Sequence, residues 1–185
     1  MKTATLESKF PLLAVENGCI ISKDADITVA YRVELPELFT LTRAEYEAMH
    51  STWAKAVKVL PNYSIVHKQD FFVEESYKPD ICKDSLSFLS RSFERHFNER
   101  PYLQHTCYLF LTKTTKERSR TTSSFNALTR GFIIPKEMQD QDTVTRFLES
   151  CGQFERIVND SGLLRITRLT DDEITGTDTS AGIIE

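Results

Sequence analysis

The sequence predicts an α+β fold: a mostly antiparallel sheet of about five strands with three main helices, built on a ferredoxin-like or split-βαβ core. Three observations lead there. Ile27, Val29, Tyr31, Val33 and Leu35 alternate with Thr28, Ala30, Arg32 and Glu34, the period of a half-buried strand. Three other segments place apolar residues three and four apart, the period of helices with one buried stripe. The two kinds of segment interleave as β-β-α-β-α-β-α-β, with no internal repeat.

Taken in order, Cys19-Ile20-Ile21 is a short apolar run that pairs with the alternating strand across the turn Asp24-Ala25-Asp26. Pro36 ends that hairpin, because it has no N–H for a ladder. Thr42-Arg43-Ala44-Glu45 is a capping box opening the first helix. Its stripe is Tyr46, Met49, His50, Trp53, Val57 and Leu60, and Pro61-Asn62 stops it. Tyr63 to Val73 reads as a strand, and Glu74 to Asp84 as a loop. The second helix runs from about Ser85 to Arg100, with Leu86, Leu89, Phe93 and Phe97 as a narrow stripe, Phe88 beside it and Pro101 closing it.

Thr106 to Thr112 is apolar on both faces, so it belongs in the middle of the sheet. The third helix carries Val144, Phe147, Leu148, Cys151, Phe154, Ile157 and Val158 as its buried stripe, and ends at Ser161-Gly162. Gly152 inside it costs about 1 kcal/mol against Ala, with close packing as the one available reason. Leu163 to Leu169 is the last strand. Thr170-Asp171-Asp172-Glu173 is a second capping box, opening a helix that the chain is not expected to complete, and Ile183-Ile184 is expected to have nothing to pack against. The organisation expected is one α+β domain over residues 1–175 and a polar tail over 176–185 leading to a further region.

The 185 residues hold 23 Lys and Arg against 27 Asp and Glu, a net charge of −4. That excludes a surface that tracks nucleic acid as a whole, though not a local basic patch. The N-terminal residues contain no apolar signal core, and no uncharged run approaches the roughly 20 apolar residues of a membrane span. A cytoplasmic, reducing location is expected, with the scattered Cys19, Cys82, Cys107 and Cys151 as small buried hydrophobes.

None of the six glycines precedes Lys, so the GxxxxGK[ST] loop that cradles a triphosphate is absent, as are GxGxxG and GxSxG. His105 and Cys107 form an HxC pair that would need two further ligands to hold a metal. Asp171-Asp172-Glu173 is explained as helix-cap acids. No catalytic, cofactor-binding or metal-ligating residue is assigned, and the chain is read as not an enzyme. One segment has a plausible partner. Thr112 to Ser124 has no apolar residue and carries Lys113, Lys116, Arg118 and Arg120 against Glu117. It reads as a basic loop suited to DNA phosphates or an acidic protein face.

Several blocks resemble a known family. Phe10-Pro11-Leu12-Leu13-Ala14-Val15-Glu16-Asn17, Val59-Leu60-Pro61-Asn62-Tyr63 and His96-Phe97-Asn98-Glu99-Arg100-Pro101 are similar to the N-terminal region of TraG family conjugative transposon ATPases. So are Tyr108-Leu109-Phe110-Leu111-Thr112-Lys113-Thr114-Thr115-Lys116-Glu117-Arg118 and Ile133-Ile134-Pro135-Lys136-Glu137-Met138. The likeness runs from about Phe10 to Gly176. It implies a non-catalytic docking or assembly domain of a type IV secretion motor whose Walker motifs lie further downstream. It further implies contacts with other conjugation proteins, self-association within the motor, and a place at the inner face of the cytoplasmic membrane. The alternative carried beside it is a nucleic-acid-binding module using the basic loop 113–120.

Overall fold

The structure, a computed structural model, describes residues 10–77, 87–114 and 141–184. The order is β1 (Leu12–Glu16), β2 (Cys19–Ser22), β3 (Ile27–Glu34), α1 (Arg43–Val59), β4 (Ser64–Ser76), α2 (Phe88–Asn98), β5 (Pro101–Lys113), α3 (Gln141–Asp160), β6 (Arg165–Arg168) and α4 (Asp171–Thr175). The described residues fall into two compact units, one drawn from Met1–Lys68 and Tyr108–Glu185, the other from Gln69–Cys107.

The sheet runs β1-β2-β3-β5-β4, with β6 also on β3. Asp26 and Ala30 give their carbonyls to Ser22 and Leu169 respectively. Both are even-numbered residues of the β3 segment, so β2 and β6 lie one after the other along the same edge of β3. The path β6-β3-β5-β4, with α1 linking β3 to β4 and α3 linking β5 to β6, is the split-βαβ arrangement. The fold is therefore α+β around a mostly antiparallel sheet, and β1–β2 extends that core.

β1 is a strand that the sequence reading did not contain. It turns into β2 through Asn17 (φ 55°) and Gly18 (φ 67°). Two consecutive left-handed residues give a hairpin turn whose twist suits the flanking strands. The Asn-Gly pair was the available signal. The turn is held from the far end of the chain. Asp171 accepts the N–H groups of Asn17 (3.1 Å) and Gly18 (2.6 Å), while Arg168 Nη2 donates to the Asn17 carbonyl (2.8 Å).

Residues next to each other on a strand face opposite sides of the sheet. Tyr31 donates its hydroxyl to the carbonyl of Cys151 at 3.3 Å, which puts α3 over one face of β3. Of the expected α3 stripe, Phe147, Cys151, Phe154 and Val158 are buried, while Val144, Leu148 and Ile157 are half-buried. Trp53 of α1 meets Phe154 with ring centroids 5.9 Å apart. The inner face of α1 is rotated from the expected stripe: Ala56 is its buried residue, and Tyr46 and Val57 are exposed. Ala30 starts the opposite face, where Ile20, Leu169 and Ile174 are also buried.

That second face corrects the expectation about the end of the chain. The Thr170 capping box opens α4, which is completed at Gly176. Thr177 pairs with Ser180, and Ile183 and Ile184 donate their N–H groups to the carbonyls of Glu173 and Ile174 (3.3 Å each). Their side chains pack on the Ile20–Ile174 cluster. A Cβ at Gly182 would run into the backbone of Gly176 and Ile174, so glycine is what lets the chain return there. Gly152 is different: a Cβ on it would meet nothing within 4 Å, so close packing is not its reason.

Two other boundaries differ from the sequence reading. β4 continues through Glu74–Ser76, part of the expected loop. Residues 78–84 of that loop, with Cys82, lie outside the described residues. β5 starts at Pro101, well before Thr106, and becomes buried only from Cys107 on. The other three cysteines are free and buried, and burial pushes the Cys151 thiol up to about 12.

Candidate docking surface

The unit Gln69–Cys107 comprises the C-terminal part of β4, α2 and the N-terminal part of β5. Ser87 caps α2, accepting the N–H of Ser90 through its hydroxyl (3.2 Å). Leu89, Phe93 and Phe97 follow at four-residue steps, so they share one face. Phe93 and Phe97 meet edge to face with centroids 4.7 Å apart, and Tyr77 meets Phe97 at 6.4 Å. Arg95 pairs with Glu99 at 2.6 Å.

No residue of α2 is buried. Phe88 is 78% exposed, Leu89 79% and Phe93 65%. On the strands of the same unit, Phe72 is 63% and Leu103 66% exposed. Scattered apolar residues are normal on a surface, but a contiguous apolar stripe on one helix marks an interaction site.

The strand part carries a polar cluster. His105 Nε2 lies 2.8 Å from Asp70 Oδ1, and the His105 ring stacks on Phe72 at 4.6 Å with 9° between planes. Tyr102 donates to Glu75 Oε2 at 3.3 Å. Desolvation and the Glu75 carboxylate both raise the Tyr102 hydroxyl above its ordinary value. Cys107, the partner of His105 in the HxC pair, is buried. Among the described residues no group of three or more His, Cys, Asp or Glu is arranged to hold a metal ion.

Of the basic-loop residues, Lys113 is the last residue of β5 and is buried. Its ammonium donates to the carbonyls of Asn62 (3.1 Å) and Thr114 (2.7 Å) and lies over the Tyr63 ring, 5.6 Å from the centroid. Those bonds spend the charge on the backbone where β4 begins. Lys116, Arg118 and Arg120 lie outside the described residues. Asp171 and Glu173 serve the β1–β2 turn and the α4 cap. The α2 face was legible as a stripe; that it stays uncovered was not.

Residues 1–51 match the model of a family described as "Domain of unknown function, B. Theta Gene description (DUF3875)". The described part of that match holds β1 to β3 and the start of α1. No curated protein matches the chain.

Proposed function

We propose that this chain is a non-catalytic docking and assembly domain of a conjugative-transfer ATPase of the type IV secretion class. It makes protein–protein contacts within DNA-transfer machinery at the inner face of the cytoplasmic membrane. The observation that carries the reading is the α2 face, on which Phe88, Leu89 and Phe93 are more than half exposed on a helix with no buried residue. An amphipathic helix whose apolar stripe is largely exposed is suited to lie against a partner. The family-like blocks supply the machinery, and the missing phosphate loop agrees with a part that is not the motor. Among the described residues no helix is long and apolar enough to cross a membrane, so the proposed membrane association runs through partner proteins.

The test is the double substitution Leu89→Asp and Phe93→Asp in the full-length protein, read as conjugative transfer frequency. The reading expects transfer to fall by at least about tenfold while the thermal midpoint of the isolated chain stays within a few degrees. Unchanged transfer would sink it. Salt-sensitive binding of single-stranded DNA by the isolated chain, lost when Lys116, Arg118 and Arg120 become Ser, would put the nucleic-acid module in its place.

A further inference from the structure

The sequence has one Asn followed by Gly, Asn17-Gly18, and that pair makes the turn between β1 and β2. At such a pair a backbone amide attacks the preceding side chain most easily, because glycine has no Cβ to hinder its nitrogen. The Gly18 nitrogen bonds to Asn17 Cγ, the bond from Cγ to the amide nitrogen breaks, and ammonia leaves. That closes a five-membered succinimide. Water then opens the ring at one of its two carbonyls, leaving aspartate or isoaspartate at position 17. The reaction needs no oxidant or reductant. Asn17 is exposed, so water reaches it.

The folded turn holds the reacting atoms apart. Asn17 is left-handed, with φ 55°. That conformation sets a residue's carbonyl oxygen beside its own Cβ. The next nitrogen lies across the carbonyl carbon from that oxygen, so the Gly18 nitrogen faces away from the Asn17 side chain. To cyclise, the peptide plane between the two residues has to swing about the Asn17 Cα–C bond. Both ends of that plane are tied. The Gly18 N–H donates to Asp171 Oδ1 at 2.6 Å, and the Asn17 carbonyl accepts from Arg168 Nη2 at 2.8 Å. Asp171 Oδ2 also accepts the Asn17 N–H at 3.1 Å, and Arg168 Nη2 reaches the Gly18 carbonyl at 3.3 Å. Bonds with an ionised partner are the stronger kind. The turn is seated closely as well: a Cβ on Gly18 would lie 3.1 Å from Arg168 Nε and 3.2 Å from the Leu169 carbonyl oxygen.

We propose that Asn17 is a latent deamidation site, and that Asp171 and Arg168 are positioning residues that keep it closed. A carboxylate that accepts the Gly18 N–H keeps both the proton on the nitrogen and the plane in place. The site becomes reactive when the clamp lets go. Conversion is then irreversible, because an isoaspartate adds a methylene to the backbone of a two-residue turn. Asp171 can no longer meet both N–H groups in the same geometry. The clamp residues belong to β6 and to the first turn of α4, so the C-terminal elements guard the chemistry of the N-terminal hairpin. This inference does not rest on the assignment to conjugation machinery.

The experiment is incubation of the full chain at mildly alkaline pH, with peptide mass mapping to locate each amide-to-acid conversion and to separate aspartate from isoaspartate. In urea, where the turn is gone, Asn17 is expected to convert well ahead of Asn62, Asn98 and Asn159. In the folded chain it should persist. Asp171→Ala should speed conversion at Asn17 about tenfold, the change in open population that about 1.4 kcal/mol gives. Asp171→Asn keeps one acceptor oxygen and should fall between. Phe154→Ala lowers stability more than Asp171→Ala but leaves the clamp intact, so it should leave Asn17 at the wild-type rate. Circular dichroism checks that each variant is folded during the incubation. A folded wild type that converts as fast as the chain in urea would overturn the proposal. So would a rate in Asp171→Ala equal to or below that of wild type, or an equal acceleration by Phe154→Ala.

Discussion

α3 and α2 carry the same kind of sequence, apolar residues three and four apart along one face. Yet α3 buries Phe147, Cys151, Phe154 and Val158, whereas α2 buries nothing. The first lies over a sheet face and against α1; the second leaves Phe88, Leu89 and Phe93 in solvent. An amphipathic pattern states that a face wants cover. It does not state whether the cover comes from this chain or from another.

The largest effect should separate the two helices directly. Phe154→Ala opens a cavity in a filled core and is expected to cost about 3–5 kcal/mol in urea unfolding. Phe93→Ala on α2 should stay within about 0.5 kcal/mol. A similar cost at both positions would mean that α2 is packed in solution, and the contrast would fail. Next in size is the clamp across the β1–β2 turn. Asp171→Ala removes the acceptor of two turn N–H groups and should cost about 1.5 kcal/mol, the low end for a charged acceptor because water reaches the turn. Equal stability of variant and wild type would show the clamp to be idle.

A gain is expected at Gly152. The position is helical, exposed and has open space for a Cβ, so Gly152→Ala should add about 1 kcal/mol. A loss of stability there would point to contact with something outside the described residues. The smallest effect is the acid response of the α4 cap. Glu173 is held below the usual carboxylate range first by the N–H of Thr170, then by the Thr170 hydroxyl and by Arg32 at 3.4 Å. Its folded value is depressed, so the cap contribution is complete above the unfolded value of about 4.3 and is lost as pH falls through the folded one. Glu173→Gln should slightly flatten the fall of the melting temperature between about pH 5 and 2. An unchanged acid limb would remove Glu173 from the account.

Local patterns were read most accurately where one physical rule acted alone. The alternation from Ile27 gave β3, the Thr42 and Thr170 boxes gave two helix starts, and four-residue steps gave the α3 stripe. Errors arose where distant chain decided. β1 is a short strand whose turn is secured by Arg168 and Asp171, about 150 residues away. Ile183 and Ile184 looked stranded because their cluster is assembled from β2, β3 and α4. Lys113 looked like the first charge of a loop, and only the meeting of Asn62 with the end of β5 gave its ammonium carbonyls to bind. The α2 face was visible in the spacing, but its exposure depends on what does not pack against it.

By itself the sequence determined the fold class, the periods of its strands and helices, their caps, and the lack of a phosphate-binding glycine loop, because each follows from neighbours within a few residues. The tertiary structure alone decided which apolar faces close on each other, which strand ends the sheet, and which charges are spent inside. Those outcomes depend on groups far apart in the chain, and no local pattern records which of them will meet.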